Sequence, residues 1–374
     1  MKTKHKIFLW LTRLKKTAQK KISNNSITSL KFDRILVLST TALGDTLLST
    51  PVFAALRKAY PQAVISAMIR DRYCSFFKNN PDINDIIPFH KGWIGFYLTW
   101  KKIKKANFEI AFIAHISDPG PMVIASLAGI PYTIGYWQQQ EFDHLLSLKI
   151  TPNLKEHLIE NRLDTVRSTI GRANVLSKNM VLPIEPEETK KIWGSFVDQH
   201  KILETGIKVI GFHPGANRYY QMWPKEHFIE LGKKLLTQDK RHIIIISGSQ
   251  QETALGKAIE DGIGQKERAF FYSLPLAELP HIFIKIDCLV TNDTGPMHLA
   301  IAIGTPTVSL FVAALPHRTG FYQDFKKHRI ISKERPCGDE CVRKKCTKKP
   351  GCMSLITVDE VFDGTMEVMN KLSI

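Results

Sequence analysis

The chain repeats one pattern in two places: a buried apolar strand, a turn of small residues and a helix. The first copy is "RILVLSTTALGDTLLSTPVFAALRKAYP" from Arg34, and the second begins with "KVIGFHPGAN" at residue 208. Further apolar segments at 63–69, 109–115 and 242–248 alternate with segments of helical spacing. Alternating strands and helices form parallel sheets with right-handed crossovers. The pattern predicts an α/β protein with two Rossmann-like open parallel-sheet domains facing a central cleft.

The alternation weakens between about residues 150 and 205, where prolines are followed by charged residues. We place the connection between the domains at about 183–205. A chain of 374 residues has room for two cores of ordinary size. The predicted parts are a basic amphipathic leader (1–30), an N-terminal domain (31–190), and a C-terminal domain with a cysteine-containing basic loop and a final helix (191–374).

The stretch "VTNDTGPMHLAIAIGTPTVSLF" predicts a short helix between two strands. Apolar residues 284–290 are the expected first strand, and the helix is expected to begin at Pro296 and to end at Gly304. A helix N-terminus at the carboxyl end of parallel strands offers N–H groups to an anion such as phosphate. The alternative is that Asp293 or Thr294 only caps the helix.

Positive charge is concentrated at the N-terminus, where residues 1–32 hold nine Lys and Arg and no acid. Apolar residues at helical spacing in this leader suit a helix on an anionic bilayer: Ile7, Trp10, Leu11 and Leu14. A solvated basic tail explains the same charge. The apolar run "IFLWL" is too short for a signal peptide, and no run reaches the ~18 apolar residues of a membrane-spanning helix.

A second basic region, 326–349, holds ten Lys and Arg against three acids. It shows no recognition-helix, aromatic-stacking or zinc-finger pattern, so nucleic acid is not an expected partner. Its cysteines have two open interpretations: they are free thiols in a reducing compartment, or they bind a metal that stabilises the loop. Their spacing, C-x3-C-x4-C-x5-C, differs from a paired CxxC ribbon, and they are Cys337, Cys341, Cys346 and Cys352.

Three motifs resemble, in the same order, those of the ADP-heptose lipopolysaccharide heptosyltransferases, glycosyltransferase family 9, which have the GT-B fold. They are "ALGDTLLSTPVFAALRKAYP", "FHPGA" with "WPKEHFIELGKKLL", and "NDTGPMHLAIAIGTPTVSLF", and the resemblance extends over about residues 34–365. It implies an acceptor-side N-terminal domain and a C-terminal domain that binds the nucleotide sugar. The implied reaction transfers heptose from ADP-L-glycero-D-manno-heptose to the lipopolysaccharide inner core and inverts the anomeric configuration. The implied location is the cytoplasmic face of the bacterial inner membrane.

The resemblance also implies roles for individual residues. Asp45 corresponds to the catalytic base, although its position before "TLLSTP" also suits a helix cap. Where the family has a Lys shortly before its Trp-Pro pair, this chain has Gln221, so either Arg218 supplies the charge or donor recognition differs. The implied acceptor-binding residues are Thr41, Gly44 and Arg318. The implied donor-binding residues are Asp293, Thr294, Gly295, Pro296, His298, His213, Gly215, Arg218, Gln221 and Gly248.

The chemistry of an ADP-sugar donor suits this pattern without a cofactor. Backbone N–H groups at the NDTGP turn can stabilise the leaving diphosphate, and the chain shows no clear DxD-type metal motif, so no metal is expected. The expected partners are the donor, an anionic phosphorylated glycolipid and a membrane surface that the basic N-terminal helix contacts. Two alternatives stay open: transfer to a protein by the same fold, and a nucleotide-sugar-binding relative without turnover.

Overall fold

A computed structural model of the chain separates it into two compact units, Met1–Pro183 and Ile184–Ile374. The structure describes residues 3–14, 20–21, 30–137, 140–171, 175, 177–202, 206–312, 314–338, 341, 346 and 351–371. Within these ranges each unit contains one parallel sheet of six strands with helices between the strands. The predicted α/β class with two open parallel sheets is therefore confirmed.

The first unit has the strand order β3-β2-β1-β4-β5-β6. Its strands are β1 (Arg34–Ser39), β2 (Val64–Arg70), β3 (Asp85–Phe89), β4 (Ile110–His115), β5 (Tyr132–Gly135) and β6 (Leu148–Lys149). Its helices are α1 (Thr3–Leu14), α2 (Leu43–Leu47), α3 (Thr50–Ala59), α4 (Trp93–Ala106), α5 (Gly120–Leu127) and α6 (Leu158–Ile170), with 3₁₀ turns at Asp71–Phe77 and Gln140–Leu145. Because all strands are parallel, the segments that follow them meet at one edge of the sheet.

The second unit has the strand order β12-β11-β10-β7-β8-β9. Its strands are β7 (Lys208–His213), β8 (His242–Gly248), β9 (Ala269–Ser273), β10 (Cys288–Asn292), β11 (Thr307–Phe311) and β12 (His328–Ser332). Its helices are α7 (Pro186–His200), α8 (Lys225–Gln238), α9 (Thr253–Ile263), α10 (Leu279–Phe283), α11 (Gly295–Ala302), α12 (Pro316–Thr319) and α13 (Val358–Lys371), with 3₁₀ turns at Tyr219–Gln221, Gln250–Glu252 and Cys352–Leu355.

Each unit has its own apolar core between its sheet and its helices. The core of the first unit includes Leu36, Ile113 and Phe142, and that of the second includes Phe212, Trp223 and Leu310. All six are less than 3% exposed. Strand runs such as "RILVLS" and "HIIIISG" are almost continuously buried, as expected where helices cover both faces of a parallel sheet.

Most of the region predicted to connect the domains is helical. Helix α7 begins with Pro186 in its first turn, where a missing N–H costs no hydrogen bond, and buries Trp193 and Phe196. Its charged residues lie mostly on the exposed face, which explains why the segment looks like a linker in the sequence.

The strand expected over 284–290 begins only at Cys288, since the residues before it complete a turn after α10.

The N-terminal helix α1 packs on the first unit. Phe8 and Thr12 are buried, and the Phe8 ring stacks on Phe96 at a centroid distance of 5.3 Å. Trp10, placed on the apolar face by the sequence, is 60% exposed. Phe8, Leu9 and Thr12 therefore face the domain, while Trp10 faces away from it. The lysines at 15 and 16 lie outside the described residues, and among the described helices none is long and apolar enough to cross a bilayer.

Candidate functional site

Asp45 lies just beyond the carboxyl end of β1, in the first turn of α2. The N-cap residue of α2 is Ala42, which forms no side-chain cap bond, so the interpretation of Asp45 as the helix cap is wrong. The Asp45 side chain is 28% exposed, enough for a carboxylate oxygen to meet a substrate. Asp45 is thus a carboxylate at the edge of the sheet where parallel α/β domains bind ligands.

Arg162, from the middle of α6, holds this carboxylate in place. Its Nη2 donates to Asp45 Oδ1 at 2.9 Å, and its Nη1 donates to the backbone carbonyl of the same residue. The Arg162 side chain is only 3% exposed, and this burial lowers the pKa of its guanidinium while the Asp45 charge acts in the opposite direction. Two donors from one planar group fix both the position and the orientation of the acid.

His115, at the carboxyl end of β4, completes this cluster. Its Nδ1 lies 3.8 Å from Asp45 Oδ2 and 2.8 Å from Thr41 Oγ1. Partial burial, with a smaller contribution from the Arg162 charge, lowers the pKa of His115 to about 4, so the ring is neutral at pH 7. Of the predicted acceptor-binding residues, Thr41 thus belongs to this cluster, and Gly44 is buried within α2.

Arg162→Lys is expected to reduce turnover by at least about 10-fold, because a lysine keeps the charge but cannot make both contacts to Asp45. The affinity for the donor should stay unchanged. Steady-state kinetics of the purified variant measure the effect as a fall in kcat. The matched control is Arg167→Lys in the same helix, where Arg167 donates to Asp164 and Glu160 instead. If both variants lose the same activity, the loss comes from the helix rather than from Asp45.

In the second unit, the NDTGP turn follows β10 and leads into α11. Thr294 occupies the N-cap position, yet its hydroxyl donates to the Asn292 carbonyl at 3.3 Å and makes no cap bond to the helix. Asp293 Oδ1 accepts from the Thr319 hydroxyl at 3.5 Å, and the Gln221 side chain donates to the Asp293 carbonyl at 3.5 Å. The structure therefore brings Gln221 to this turn. Thr294 is the N-cap residue, one of the two candidates predicted, but its side chain makes no bond to the helix.

The remaining predicted donor-binding residues of this motif lie in the first turns of α11. Gly295 and Pro296 form its first two positions, and His298 lies one turn later with 7% exposure. The helix ends before Gly304, whose φ of +82° is the left-handed conformation typical of a helix C-terminus, as predicted. Arg318, in α12, is half-buried beside the Thr319 that contacts Asp293.

Asn292 links three segments of this site and was missed by the sequence analysis. Its Oδ1 accepts from the Trp223 backbone N–H at 3.0 Å, and its Nδ2 donates to the Pro214 carbonyl at 2.9 Å. The side chain is fully buried. Asn292 therefore connects the HPGAN, Trp-Pro and NDTGP segments. The signal in the sequence is an amide side chain just beyond the predicted strand 284–290.

His213 and Gly215 lie at the carboxyl end of β7. The buried His213 ring forms a hydrogen bond of 3.0 Å with Ser247 Oγ, and burial lowers the pKa of this histidine. A Cβ on Gly215 would lie 1.8 Å from Glu252 Oε1, so a larger residue there would require the Glu252 side chain to move. Gly248 ends β8 beside the same glutamate, with 3.3 Å between an added Cβ and Glu252 Cβ. Arg218 is exposed and precedes the 3₁₀ turn Tyr219–Gln221.

The four cysteines of the basic loop are free thiols of intermediate exposure. Burial, with the neighbouring Cys341, Cys346 and Cys337, raises the pKa of the Cys352 thiol. In the parts of the chain that the structure describes, no group of three or more His, Cys, Asp and Glu side chains is arranged to hold a metal. Residues 339–340, 342–345 and 347–350 of this loop lie outside that description.

Comparisons with known proteins agree on one family. A model of glycosyltransferase family 9 (heptosyltransferase) matches residues 100–350 of the chain. Over 302 residues the chain is 24% identical to lipopolysaccharide heptosyltransferase 2 of Escherichia coli (strain K12), covering 76% of this chain and 84% of that protein.

Solved structures with the same two-sheet architecture support the predicted GT-B fold. A glycosyl transferase of family 9 from Veillonella parvula DSM 2008 has a TM-score of 0.77 at 22% identity, covering 93% of this chain and 100% of that one. The E. coli ADP-heptose lps heptosyltransferase II has a TM-score of 0.74 at 22% identity, covering 91% of this chain and 100% of that one. The likeness therefore extends over both units.

Proposed function

The chain belongs to glycosyltransferase family 9, and on this premise we propose that it transfers heptose from ADP-heptose to the inner core of lipopolysaccharide, with inversion. The E. coli relatives that it resembles are heptosyltransferases, and one of them is described as using ADP-heptose and acting on lipopolysaccharide. The observation that carries the proposal is the partly exposed carboxylate of Asp45, which Arg162 holds at the carboxyl edge of the first sheet.

In the proposed reaction, the acceptor hydroxyl attacks the anomeric carbon of the donor and gives its proton to Asp45. Arg162 donates to Oδ1, and we assign the proton to Oδ2, which lies 3.8 Å from His115 Nδ1. The bond between the anomeric carbon and the diphosphate oxygen breaks, and its electron pair leaves with ADP. A single displacement of this kind inverts the anomeric configuration.

The donor side of the proposal rests on the second unit. The N-terminus of α11, at Thr294 and Gly295, offers N–H groups and a partial positive charge to the diphosphate. Gln221 and Asp293 already contact each other at this turn. Arg218 is exposed three residues before Gln221, so it can supply the positive charge that the family places on a lysine.

Metal-independent binding of ADP is a further part of the proposal, since helix N–H groups and basic side chains take the role of a cation. We expect calorimetric titration of ADP to give the same affinity in EDTA as in Mg²⁺, within about 2-fold. Loss of binding in EDTA would refute metal independence.

A thermal-shift screen with ADP, UDP, GDP and their sugars tests the donor class, and stabilisation by ADP compounds alone is the expected result.

The acceptor and its location complete the proposal. An anionic, phosphorylated glycolipid suits the basic protein, and the proposed location is the cytoplasmic face of the bacterial inner membrane. The basic helix α1 is the proposed membrane contact.

Radiolabelled ADP-heptose offered to cell fractions tests the acceptor class. The label is expected in glycolipid, whereas label in polypeptide would replace the lipid acceptor with a protein one.

A further inference from the structure

Helix α4 exposes an apolar and aromatic surface that the proposed reaction does not use. In its first two turns, four large side chains are more than half exposed: Trp93 at 51%, Ile94 at 78%, Tyr97 at 55% and Leu98 at 53%. The opposite face of the helix packs on the domain through Gly95, Thr99 and Ile103. Scattered exposed apolar residues are ordinary in soluble proteins, but a contiguous group of this size marks an interaction surface.

Helix α1 extends this surface. The Phe8 ring contacts Trp93 at a centroid distance of 5.8 Å, which fixes α1 beside the start of α4. Ile7 and Trp93 line the same groove of about 440 Å³. Trp10, one turn after Ile7, is 60% exposed. We call the exposed side chains Ile7, Trp10, Trp93, Ile94, Tyr97 and Leu98 the α1–α4 surface.

The position of this surface in the first unit relates it to Asp45. Helix α4 begins after the carboxyl end of β3, and its exposed apolar turns are the first ones. Lys4, near the start of α1, pairs at 3.4 Å with Asp118, which follows the carboxyl end of β4. Asp45 follows β1, two strands from β3, a spacing of about 10 Å along the sheet. The α1–α4 surface and Asp45 therefore share one edge of the sheet.

The charges around the surface select its partner. Neither Thr3–Leu14 nor Trp93–Ala106 contains Asp or Glu. Four exposed lysines follow the apolar turns of α4: Lys101, Lys102, Lys104 and Lys105. Two such surfaces would repel each other, which disfavours a second copy of this chain. Tryptophan and tyrosine beside apolar side chains, with lysines around them, match the interface of an anionic bilayer.

We propose that the α1–α4 surface inserts into anionic phospholipid, and that α4 is the principal apolar contact. The proposal rests on the proposed function in one respect: a membrane at this edge would present a glycolipid headgroup to Asp45. It also revises the role of the leader. Because Phe8 belongs to the core, α1 is a fixed part of the domain rather than a free basic arm, and its lysines add attraction around the inserted side chains.

Point variants test this better than removal of the leader, which would uncover the core around Phe8. Ile94→Glu/Leu98→Glu places two charges in the surface. The matched control is Leu154→Glu/Phe325→Glu, since these side chains are 67% and 65% exposed and lie outside the surface. Both variants change the net charge equally, and all four sites are exposed, so both should fold with wild-type melting temperatures.

Flotation with vesicles of phosphatidylglycerol and phosphatidylcholine is the measurement. We expect the wild-type chain and the control variant to bind within about 2-fold of each other, and the α4 variant to lose at least about 10-fold in partition coefficient. Vesicles of phosphatidylcholine alone should bind the wild type more weakly. Equal binding by the two variants would overturn the proposal. A wild-type dimer that the α4 variant dissociates, with vesicle binding unchanged, would also overturn it and would assign the surface to self-association.

Activity assays separate this proposal from the proposed function. With an acceptor freed of its acyl chains, the α4 variant should transfer heptose at the wild-type kcat and KM, whereas with acceptor in vesicles it should lose activity in parallel with binding. A wild-type chain that binds vesicles but transfers nothing to either acceptor would refute the proposed function and leave the surface assignment intact. Transfer to the soluble acceptor without vesicle binding would refute the surface assignment alone.

Discussion

Asp45→Asn is expected to lower the turnover of heptose transfer by roughly 10²- to 10⁴-fold, the usual range for a lost general base. The asparagine side chain still accepts a hydrogen bond from Arg162, but it cannot take a proton from the attacking hydroxyl. ADP affinity should stay at the wild-type value, because the predicted donor residues contact one another within the second unit. Single-turnover transfer and ADP calorimetry on the same preparation measure both quantities.

The structure also changes the expected stability of this variant. From the sequence, asparagine would cap a helix as well as aspartate, and the melting temperature would stay nearly unchanged. In the structure, Asp45 instead neutralises a guanidinium that is only 3% exposed. Removing that charge should cost about 1–3 kcal/mol of unfolding free energy. The expected result is therefore a lower melting temperature together with the loss of turnover.

Glu160→Gln is the matched control for Asp45→Asn. Glu160 accepts from Arg167 at 2.6 Å, in the same helix as Arg162, and both partners are largely buried. This variant should lose comparable stability while transfer continues at close to the wild-type rate. Similar losses of activity in both variants would mean that damage to α6, rather than loss of a base, explains the Asp45 result.

Asn292→Ala is expected to weaken ADP binding by at least about 10-fold. Asn292 joins the Trp223 backbone to the Pro214 carbonyl, so its loss releases two of the segments that converge on the NDTGP turn. It also leaves a buried N–H and a buried carbonyl without their partner, which should cost about 2–4 kcal/mol of unfolding free energy. Calorimetry and urea unfolding at a temperature where the variant is folded measure the two effects.

Asn80→Ala in the first unit provides the comparison. Asn80 is 3% exposed and likewise makes two bonds, donating to the Val181 carbonyl and accepting from the Asp82 N–H. Its loss should reduce stability by a similar amount and leave ADP affinity at the wild-type value. If Asn292→Ala loses stability but binds ADP normally, Asn292 supports the fold alone, and its role in the donor site is refuted.

Local sequence patterns predicted much of the fold because parallel sheets leave strong local signals. Buried strands appear as continuous apolar runs, and small-residue turns mark the carboxyl edge where Asp45 and Thr294 lie. The same reasoning identified 183–205 only as the connection between the domains and did not reveal helix α7, whose buried Trp193 and Phe196 lie among charged residues. It did not reveal that α1 is anchored on the first unit, because Phe8 packs on Phe96, 88 residues away in the sequence, and no local pattern contains that contact.

The partners of the predicted site residues were harder to find than the residues themselves. Arg162 lies 117 residues after Asp45, inside a helix whose sequence shows no motif. His115 ends an apolar strand, and the pairing of β1 with β4 brings it within hydrogen-bond distance of Thr41, 74 residues away in the sequence. Asn292 resembles any polar residue at a strand end until its two bonds are seen. Motifs identify groups that meet a substrate, whereas the groups that orient them are placed by topology.

Transfer by the purified chain tests the central claim most directly. The chain is mixed with ADP-heptose and an inner-core acceptor that lacks this heptose, and the products are analysed by mass spectrometry and NMR. The account predicts one added heptose per acceptor, one ADP released per transfer and an anomeric configuration opposite to that of the donor. Binding of ADP-heptose without a gain in acceptor mass, or a product that retains the donor configuration, would contradict it.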